Sequence, residues 1–465
     1  MRFWGTIVAP VLLCIGMTGH TFAADDDQAL IEQGKYVAKA ADCGACHTLP
    51  DHGKAFAGGY KIDSPMGAII ATNITPSKTH GIGKWSEAEF TRAVREGVSP
   101  EGHLYPAMPY TAYGQISDQD MHALWVYFSK GIAPVDESPA DKTNLSFPFN
   151  MRALMIGWNL LFARNEPAKA PMVEAGSPGR GEYLANALAH CSTCHTPRNM
   201  MMGEKSSVAL SGAPLGGWYA PNITSDPNSG IGQWSEDEIV SYLKSGRAVG
   251  KAQAAGPMAE AVEHSFRSLT DDDLHALARY IMTVPPVATP GVEHAAFNST
   301  VAALAQEVNL ERDISHYPQD MSNGSSVDGE RLYMGACSTC HQTSGKGTGD
   351  QFYPSLTSNT AVGSVLPANL IMAIEEGIHR KTNDYTVSMP AFKDQFTDAQ
   401  TAAVATYVMQ RFGGSQSSVT EDQVTLYKSG GDKPFIVRYM NWMMALGVLL
   451  AAAIVCVAAY TFRRR

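Results

Sequence analysis

The sequence predicts a mostly α-helical protein that contains three similar small units and ends in one membrane-spanning helix. A Cys-x-x-Cys-His motif starts at Cys43, Cys191 and Cys337, at intervals of 148 and 146 residues, and a repeat of that size indicates repeated domains. After each motif, apolar residues recur at helical spacing, with no convincing alternation of strand type. No residue from Trp442 to Phe462 is charged, and this stretch makes roughly 31 Å of helix, enough to cross a hydrocarbon core.

The first residues have the features of a secretory signal peptide. Arg2 precedes an apolar stretch from Ile7 to Gly16, and Thr21-Phe22-Ala23 suits cleavage after Ala23. At the other end, Arg463 to Arg465 directly follow the apolar span, and clustered arginines stay in the cytoplasm. The two ends together predict that one helix anchors the chain in a membrane, with the three units outside the cytoplasm and the C-terminus inside it.

The composition is that of a globular protein and excludes one class of partner. Hydrophobic residues make up 45% of the 465-residue chain and charged residues 17%, which argues against a mostly disordered protein. The formal net charge of −10 argues against nucleic acid as a partner.

The sequence around the motif repeats as well. TNITPSKTHGIGKWSEAEF follows the first motif and PNITSDPNSGIGQWSEDEI the second. In these phrases Ser86 with Glu89 and Ser235 with Glu238 predict helices that begin with capping boxes. The last helix of each unit is predicted to begin with a similar cap, at Ser117 with Asp120, Thr270 with Asp273 and Thr397 with Gln400.

Segments rich in proline, glycine and small residues divide the chain. The predicted organisation is a signal peptide (1–23), unit one (24–135), a linker (136–176), unit two (177–290), a linker (291–325), unit three (326–413), a linker (414–435) and a membrane anchor (436–462). The stretch from Met151 to Phe162 is nearly uncharged. It predicts a helix that packs on a neighbouring unit, or one that docks a partner or the membrane interface.

Three chemistries use cysteines at this spacing. A redox dithiol of the thioredoxin type needs a βαβ setting and no following histidine, and a zinc site needs two more ligands at a regular spacing. Covalent haem c accounts for every part of the motif, because two thiols add to the porphyrin vinyl groups and the next histidine reaches the iron. The sequence therefore predicts three haem c groups attached through Cys43, Cys46, Cys191, Cys194, Cys337 and Cys340, with His47, His195 and His341 as iron ligands.

A methionine is the predicted ligand on the other side of each iron, because a thioether suits an electron carrier whereas an open site suits catalysis. Met108, Met258 and Met389 lie 61, 63 and 48 residues after the motif histidines, each shortly before the capped final helix. Met66 is a rival to Met108, and Met200 to Met202 are rivals to Met258. Between the two ligands of each unit, Asn73, Asn222 and Asn359 are predicted either to bind a haem propionate or to make turns.

At these residues the chain resembles the three-haem cytochrome c subunit of bacterial membrane-bound dehydrogenase complexes. The matching stretches cover nearly all of residues 28–412 and include AFAGGYKIDSPMGAIIATNITPSKTHGIG, YPAMPY, CSTCHTPRN, GQWSEDEIVSYLKSGR and SMPAF. The resemblance implies a non-catalytic subunit that relays electrons from a large catalytic subunit to ubiquinone, with a small subunit as a further possible partner. Consistent with this, the sequence contains no nucleophile beside a base and no phosphate-binding loop.

The resemblance also indicates which type of catalytic subunit is the expected partner. Members that work with a flavin subunit end in a single C-terminal anchor, as this chain does, so an FAD subunit that oxidises a sugar, a sugar acid or a polyol is expected. A subunit with pyrroloquinoline quinone (PQQ), as in alcohol dehydrogenases, is the alternative, and molybdopterin is a further one. A cytochrome subunit of an oxidase and a haem peroxidase are the remaining hypotheses.

Overall fold

The computed structural model describes residues 21–50, 53–163, 177–298, 326–383 and 385–464. The predicted signal peptide, up to residue 20, lies outside these residues, as do residues 164–176 and 299–325 of the first two predicted linkers. The described chain is mostly helical, as predicted, and its strands are short.

Unit one begins with a long helix that runs into the first motif. The predicted cleavage site after Ala23 lies within this helix. The elements of unit one are α1 (Thr21–Ala40), α2 (Cys43–His47), β1 (Lys61–Ser64), β2 (Gly67–Ile70), α3 (Glu87–Glu96), β3 (Val98–Ser99), β4 (Gly102–His103), α4 (Tyr110–Tyr113) and α5 (Asp118–Val126), which continues as a π-helical turn to Gly131.

Unit two follows the same order of elements. They are α7 (Pro178–Tyr183), continued by a π-helical turn to Leu188, α8 (Cys191–His195), β6 (Ala213–Leu215), β7 (Trp218–Ala220), α9 (Glu236–Ser245), β8 (Arg247–Ala248), β9 (Ala252–Gln253), α10 (Gly256–His264) and α11 (Asp271–Thr283). Short 3-10 turns lie at Ser206–Val208 and Phe266–Ser268.

Unit three is the shortest. It contains α12 (Gly329–Ala336), α13 (Ser338–His341), α14 (Thr360–Gly363), α15 (Ala368–Glu376), β10 (Ile378–Lys381), β11 (Thr386–Met389) and α16 (Asp398–Gly413), and α17 (Glu421–Lys428) and α18 (Phe435–Arg463) follow it.

The strands form small antiparallel hairpins that the sequence did not reveal. β1 pairs with β2, β3 with β4, β6 with β7, β8 with β9 and β10 with β11, and β5 (Asn144–Leu145) adds to the edge of β2. Each strand has two to four residues, too few for an alternating pattern to stand out. In the last hairpin, Ile378 lies opposite Met389.

In all three units the first and last helices cross at a glycine. A Cβ atom on Gly34 would lie 2.0 Å from the Ala123 carbonyl oxygen, and one on Gly181 would lie 1.9 Å from that of Ala276. In unit three, a Cβ on Gly329 would lie 2.3 Å from the Ala403 oxygen. Only glycine permits this approach, so each motif is held at the end of a helix packed tightly on another helix.

The predicted helix starts are present, with one difference. Both capping boxes of the repeated phrases form, at Ser86 with Glu89 and Ser235 with Glu238, and so does the one at Thr397 with Gln400. At Ser117 and Thr270 the hydroxyl caps the helix, but the aspartate three residues later does not bond back. These two aspartates, Asp120 and Asp273, instead accept hydrogen bonds from tyrosines of the neighbouring unit.

Units one and two share a single apolar core, whereas unit three has its own. Between the first two units a pair of hydrogen bonds is reciprocal. The Tyr36 hydroxyl donates to Asp273 at 2.6 Å, and the equivalent Tyr183 hydroxyl donates to Asp120 at 2.7 Å. The same pair of groups is thus used twice in opposite directions, which gives the two units a pseudo-twofold interface.

The uncharged stretch around residue 156 forms α6 (Leu154–Phe162) and packs on units one and two through one side. Trp158 donates from its indole to the Met201 carbonyl at 3.0 Å, and the Tyr110 hydroxyl donates to Asn159 at 2.7 Å. Leu160 is 87% exposed on the other side. The helix therefore packs on neighbouring units, as predicted, and also leaves an apolar side uncovered.

The chain leaves unit three through α17 and enters the one described helix that is long and apolar enough to cross a membrane. That helix, α18, includes the whole predicted anchor. Lys428 at the end of α17 contacts the buried carboxylate of Glu375 at 3.2 Å and the partly exposed carboxylate of Asp398 at 2.5 Å. Residues 429–434 alone join α17 to α18, a reach of roughly 20 Å at full extension.

Candidate haem-binding sites

The first two motifs occupy equivalent short helices. α2 and α8 each start after a residue with a left-handed backbone, Asp42 with φ of 54° and His190 with φ of 40°. This sharp change of direction separates the motif helix from the long helix before it. In unit three the turn follows the motif instead, at Gln342 with φ of 65°. In each unit one helical turn carries two thiols and an imidazole.

Each motif histidine is oriented by a backbone carbonyl. Nδ1 lies 2.7 Å from the Thr72 oxygen for His47, 2.7 Å from the Pro221 oxygen for His195 and 3.0 Å from the Pro354 oxygen for His341. A carbonyl only accepts hydrogen bonds, so Nδ1 carries the proton and Nε2 keeps a free lone pair. This is the outer contact that metal-binding histidines normally make.

The electrostatic environment favours neutral imidazoles. Burial lowers the pKa of His47, His195 and His341, and the hydrogen bond to the carbonyl offsets only part of that effect. A neutral imidazole is the form that binds a metal.

The six motif cysteines are all free thiols in the structure. Burial raises the pKa of Cys43, Cys191 and Cys337 to about 12. A redox dithiol needs the opposite, since its nucleophilic thiol has a lowered pKa. The thiols therefore suit attachment of a group better than thiol–disulfide exchange.

One continuous cavity of about 410 Å³ joins the motifs of units two and three. Its wall is apolar for the most part. The predicted site residues that line it are Cys191, Cys194, His195 and Met258 from unit two and Cys337, Cys340, His341 and Met389 from unit three. Its thiols, imidazoles and thioethers are the donor types that c-type haem sites use.

The predicted methionines and their rivals lie in different places. Met258 lies in the first turn of α10 and Met389 ends β11, and both line the cavity. Met200 and Met201 do not line it and are 65% and 46% exposed. Met66 lies in the turn between β1 and β2, where its carbonyl accepts from Ser146.

In unit one the corresponding residues gather on the shared core. Cys43 and Met108 both pack against it. Beside them, the buried Tyr113 donates its hydroxyl to the Ala41 carbonyl, and its ring meets that of His190 edge to face, with centroids 5.6 Å apart. Because Ala41 lies two residues before the first motif and His190 directly precedes the second, Tyr113 bridges the starts of the two motifs. No sequence pattern marks this contact, which only the folded units bring together.

The three asparagines use their side-chain amides in turns and caps. Asn73 Oδ1 accepts from Thr75 N at 2.9 Å while its amide donates to the Val135 carbonyl. Asn222 repeats this arrangement, and Asn359 caps α14 by accepting from the backbone N–H of Ala361. The turn interpretation therefore explains their contacts.

A small helical fold that presents Cys-x-x-Cys-His with an oriented imidazole defines the class of c-type cytochromes. Comparison with known proteins agrees. The family model described as cytochrome c matches residues 180–285 and 326–411, and the model described as cytochrome c oxidase, cbb3-type, subunit III matches residues 29–128.

Relatives of nearly full length identify the family. The fructose dehydrogenase cytochrome subunit of Gluconobacter japonicus is 41% identical over 91% of this chain and 89% of that protein. The alcohol dehydrogenase (quinone) cytochrome c subunit of Gluconacetobacter polyoxogenes is 36% identical over 92% and 90%. The gluconate 2-dehydrogenase cytochrome c subunit of Pantoea cypripedii is 34% identical over 89% and 93%. The chain belongs to this family of dehydrogenase cytochrome c subunits, which confirms the predicted resemblance.

Proposed function

We propose that the chain is a three-haem electron relay that serves a membrane-bound dehydrogenase. Two thioethers and two axial ligands would hold each haem. In the three predicted domains the thioether and ligand sets are Cys43, Cys46, His47 and Met108; Cys191, Cys194, His195 and Met258; and Cys337, Cys340, His341 and Met389.

The observation that carries this proposal is the cavity shared by units two and three, together with the core shared by units one and two. A relay needs its carriers close together in a fixed arrangement. Bound haem c supplies one-electron chemistry at iron. The chain itself attaches the group, orients the imidazole through a carbonyl and keeps the site apolar.

The partner is proposed from the relatives. The relative from Gluconobacter japonicus is named for fructose dehydrogenase, and by analogy the donor here is a catalytic subunit, with FAD, that oxidises a sugar, a sugar acid or a polyol. The relatives named for alcohol dehydrogenase (quinone) make a subunit with PQQ the second candidate. A small subunit would complete the complex.

The acceptor is proposed to be ubiquinone in the inner membrane. The signal peptide and the terminal arginines support periplasmic units and a cytoplasmic C-terminus. The short connection from α17 to α18 keeps unit three close to the start of the apolar helix, so electrons would leave the relay near the bilayer.

The test is purification of the expressed chain in mild detergent, alone and with its native partners. We expect three haems per chain in an alkaline pyridine assay, low-spin spectra, no substrate oxidation by the chain alone, and haem reduction by sugar or polyol once a flavin subunit is present. Fewer than three haems, or substrate oxidation by the isolated chain, would contradict the proposal. A PQQ subunit in the complex would establish the second candidate.

A further inference from the structure

Arg380 belongs to unit three, but its side chain is buried in unit two. It lies on β10 and is 0% exposed. Its Nε donates to the Ser245 carbonyl at 3.0 Å, one terminal nitrogen donates to the Ala254 carbonyl, and the other donates to Gln253 Oε1 at 3.1 Å. The segment it enters, residues 245–254, leads directly to Met258.

Unit two is shaped to receive this guanidinium. Gly246 has φ of 75°, and a Cβ atom there would lie 2.3 Å from Arg380 Nε. Any other residue at this position would collide with the arginine and would also strain the backbone. The two positions, 134 apart in the chain, therefore fit together.

The charge of Arg380 has no carboxylate partner among its described hydrogen bonds. All three acceptors are neutral oxygens, and they use three of the five N–H donors of a guanidinium. Among the described residues that line the shared cavity, Arg380 is the sole lysine, arginine, aspartate or glutamate. A buried charge is costly unless an anion compensates it, and burial lowers the pKa of Arg380 in accordance with that cost.

We propose that Arg380 of unit three pairs with a propionate of the haem attached at Cys191 and Cys194 in unit two. A propionate is an anion that accepts two hydrogen bonds, and a guanidinium presents paired donors to such a group. The haem of unit two is preferred because Ser245, Gln253 and Ala254 all belong to that unit. The inference rests on the haem occupancy proposed above.

The positive charge also has a redox consequence. The ferric haem carries one more positive charge than the ferrous haem, so a buried cation nearby favours the reduced state. Arg380 would thus raise the reduction potential of one haem above the value its own unit gives, and it would couple the docking of unit three to cofactor insertion in unit two.

The test is a redox titration of the haem-loaded full-length chain with optical and magnetic detection. We expect Arg380→Gln to shift the reduction equilibrium of one haem about tenfold toward the oxidised state, which is about 59 mV for one electron. Arg380→Lys keeps the charge and should shift it less than threefold. Arg267→Gln is the matched control, because Arg267 also crosses to unit three, donating to the Lys381 carbonyl at 3.1 Å, but does not line the cavity.

The haem count separates this inference from the proposed function. A full count of three haems, with the reduction equilibrium of every haem in Arg380→Gln within twofold of the parent, would overturn the pairing and leave the relay intact. If the variant does not mature, a cryo-EM map of the unaltered haem-loaded protein decides the matter. A propionate of the unit-two haem within 3.5 Å of the guanidinium is expected, and a guanidinium without that contact would refute the inference.

Discussion

Each motif histidine is oriented by an oxygen that belongs to the main chain. Thr72, Pro221 and Pro354 supply these carbonyls, so the contact does not depend on the side chain at those positions. For this reason the tautomer of His47 and His195 is protected against most substitutions. The predicted methionine ligand has no such protection, because it depends on a single side chain.

Met258 has more nearby alternatives in the sequence than the other two predicted methionines, and its role as a ligand can be tested directly. Replacing Met258 with leucine should remove the thioether from one haem, lower the potential of that haem and let about one haem in three bind carbon monoxide when reduced. Absorbance titration of the haem-loaded chain with carbon monoxide measures this. Met200→Leu is the control, since Met200 is exposed, and it should bind none. Equal binding in the two variants would show that Met258 is not the ligand.

Among the elements, the crossing of the first and last helix determines where each motif lies. Gly34, Gly181 and Gly329 place one helix against a carbonyl of the other. The atoms in contact are backbone atoms, which cannot move aside as a flexible side chain would. The crossing therefore tolerates no added methyl group.

Gly181→Ala should consequently destabilise unit two by about 3 kcal/mol, the upper end of the usual cost of overpacking. Gly157→Ala is the matched control, because Gly157 lies inside α6 with no atom within 4 Å of the added Cβ. Since alanine is the better helix former, that variant should be stabilised by about 0.5–1 kcal/mol. Denaturant unfolding of the haem-loaded chain measures both, and a Gly181→Ala protein as stable as the parent would refute the close crossing.

At the scale of the whole molecule, the interfaces between units hold the arrangement together. Units one and two are held by a common core and by the reciprocal tyrosine–aspartate bonds. Asp273 also receives two hydrogen bonds from Arg180, at 2.9 and 2.8 Å. Burial alone would raise the pKa of Asp273, but the bonds from Arg180 and Tyr36 outweigh it and lower the pKa.

Asp273 therefore makes stability depend on pH in a definite direction. Its folded pKa lies below its unfolded value of about 3.9, so its contribution is full above about pH 4 and is lost as the pH falls through the folded pKa. Asp273→Asn should cost about 3 kcal/mol at pH 7, because it leaves the Arg180 guanidinium without its anion, and should flatten the loss of stability in acid. Thermal unfolding from pH 7 to pH 3 measures both effects.

Asp272→Asn is the neighbouring control for that experiment. Asp272 is exposed and has no described bond across the joint, so its variant should keep the acid dependence of the parent. If the stability of the Asp273→Asn protein falls in acid as that of the parent does, protonation of this carboxylate is not the cause of the loss.

Much of the protein follows from local sequence. Three repeated motifs predicted the chemistry and the family, the caps at Ser86, Ser235 and Thr397 predicted helix starts that the structure confirms, and an uncharged run predicted α18. These features depend on residues a few positions apart, so a pattern in the chain reports them directly. The three domain boundaries and the ligand assignments stay predictions.

Tertiary structure alone decided how the units meet. Tyr36 and Asp273 are separated by 237 positions, and Arg380 and Ala254 by 126, and no periodicity links residues so far apart. Asp120 and Asp273, which the sequence predicted as capping partners, instead accept hydrogen bonds across the interface between units one and two. Arg380 belongs to no sequence motif, yet it is the charged side chain that lines the shared cavity. Local interactions specify the motif that each unit carries, whereas packing between distant segments specifies how the units meet and which charged side chain lies in the shared cavity.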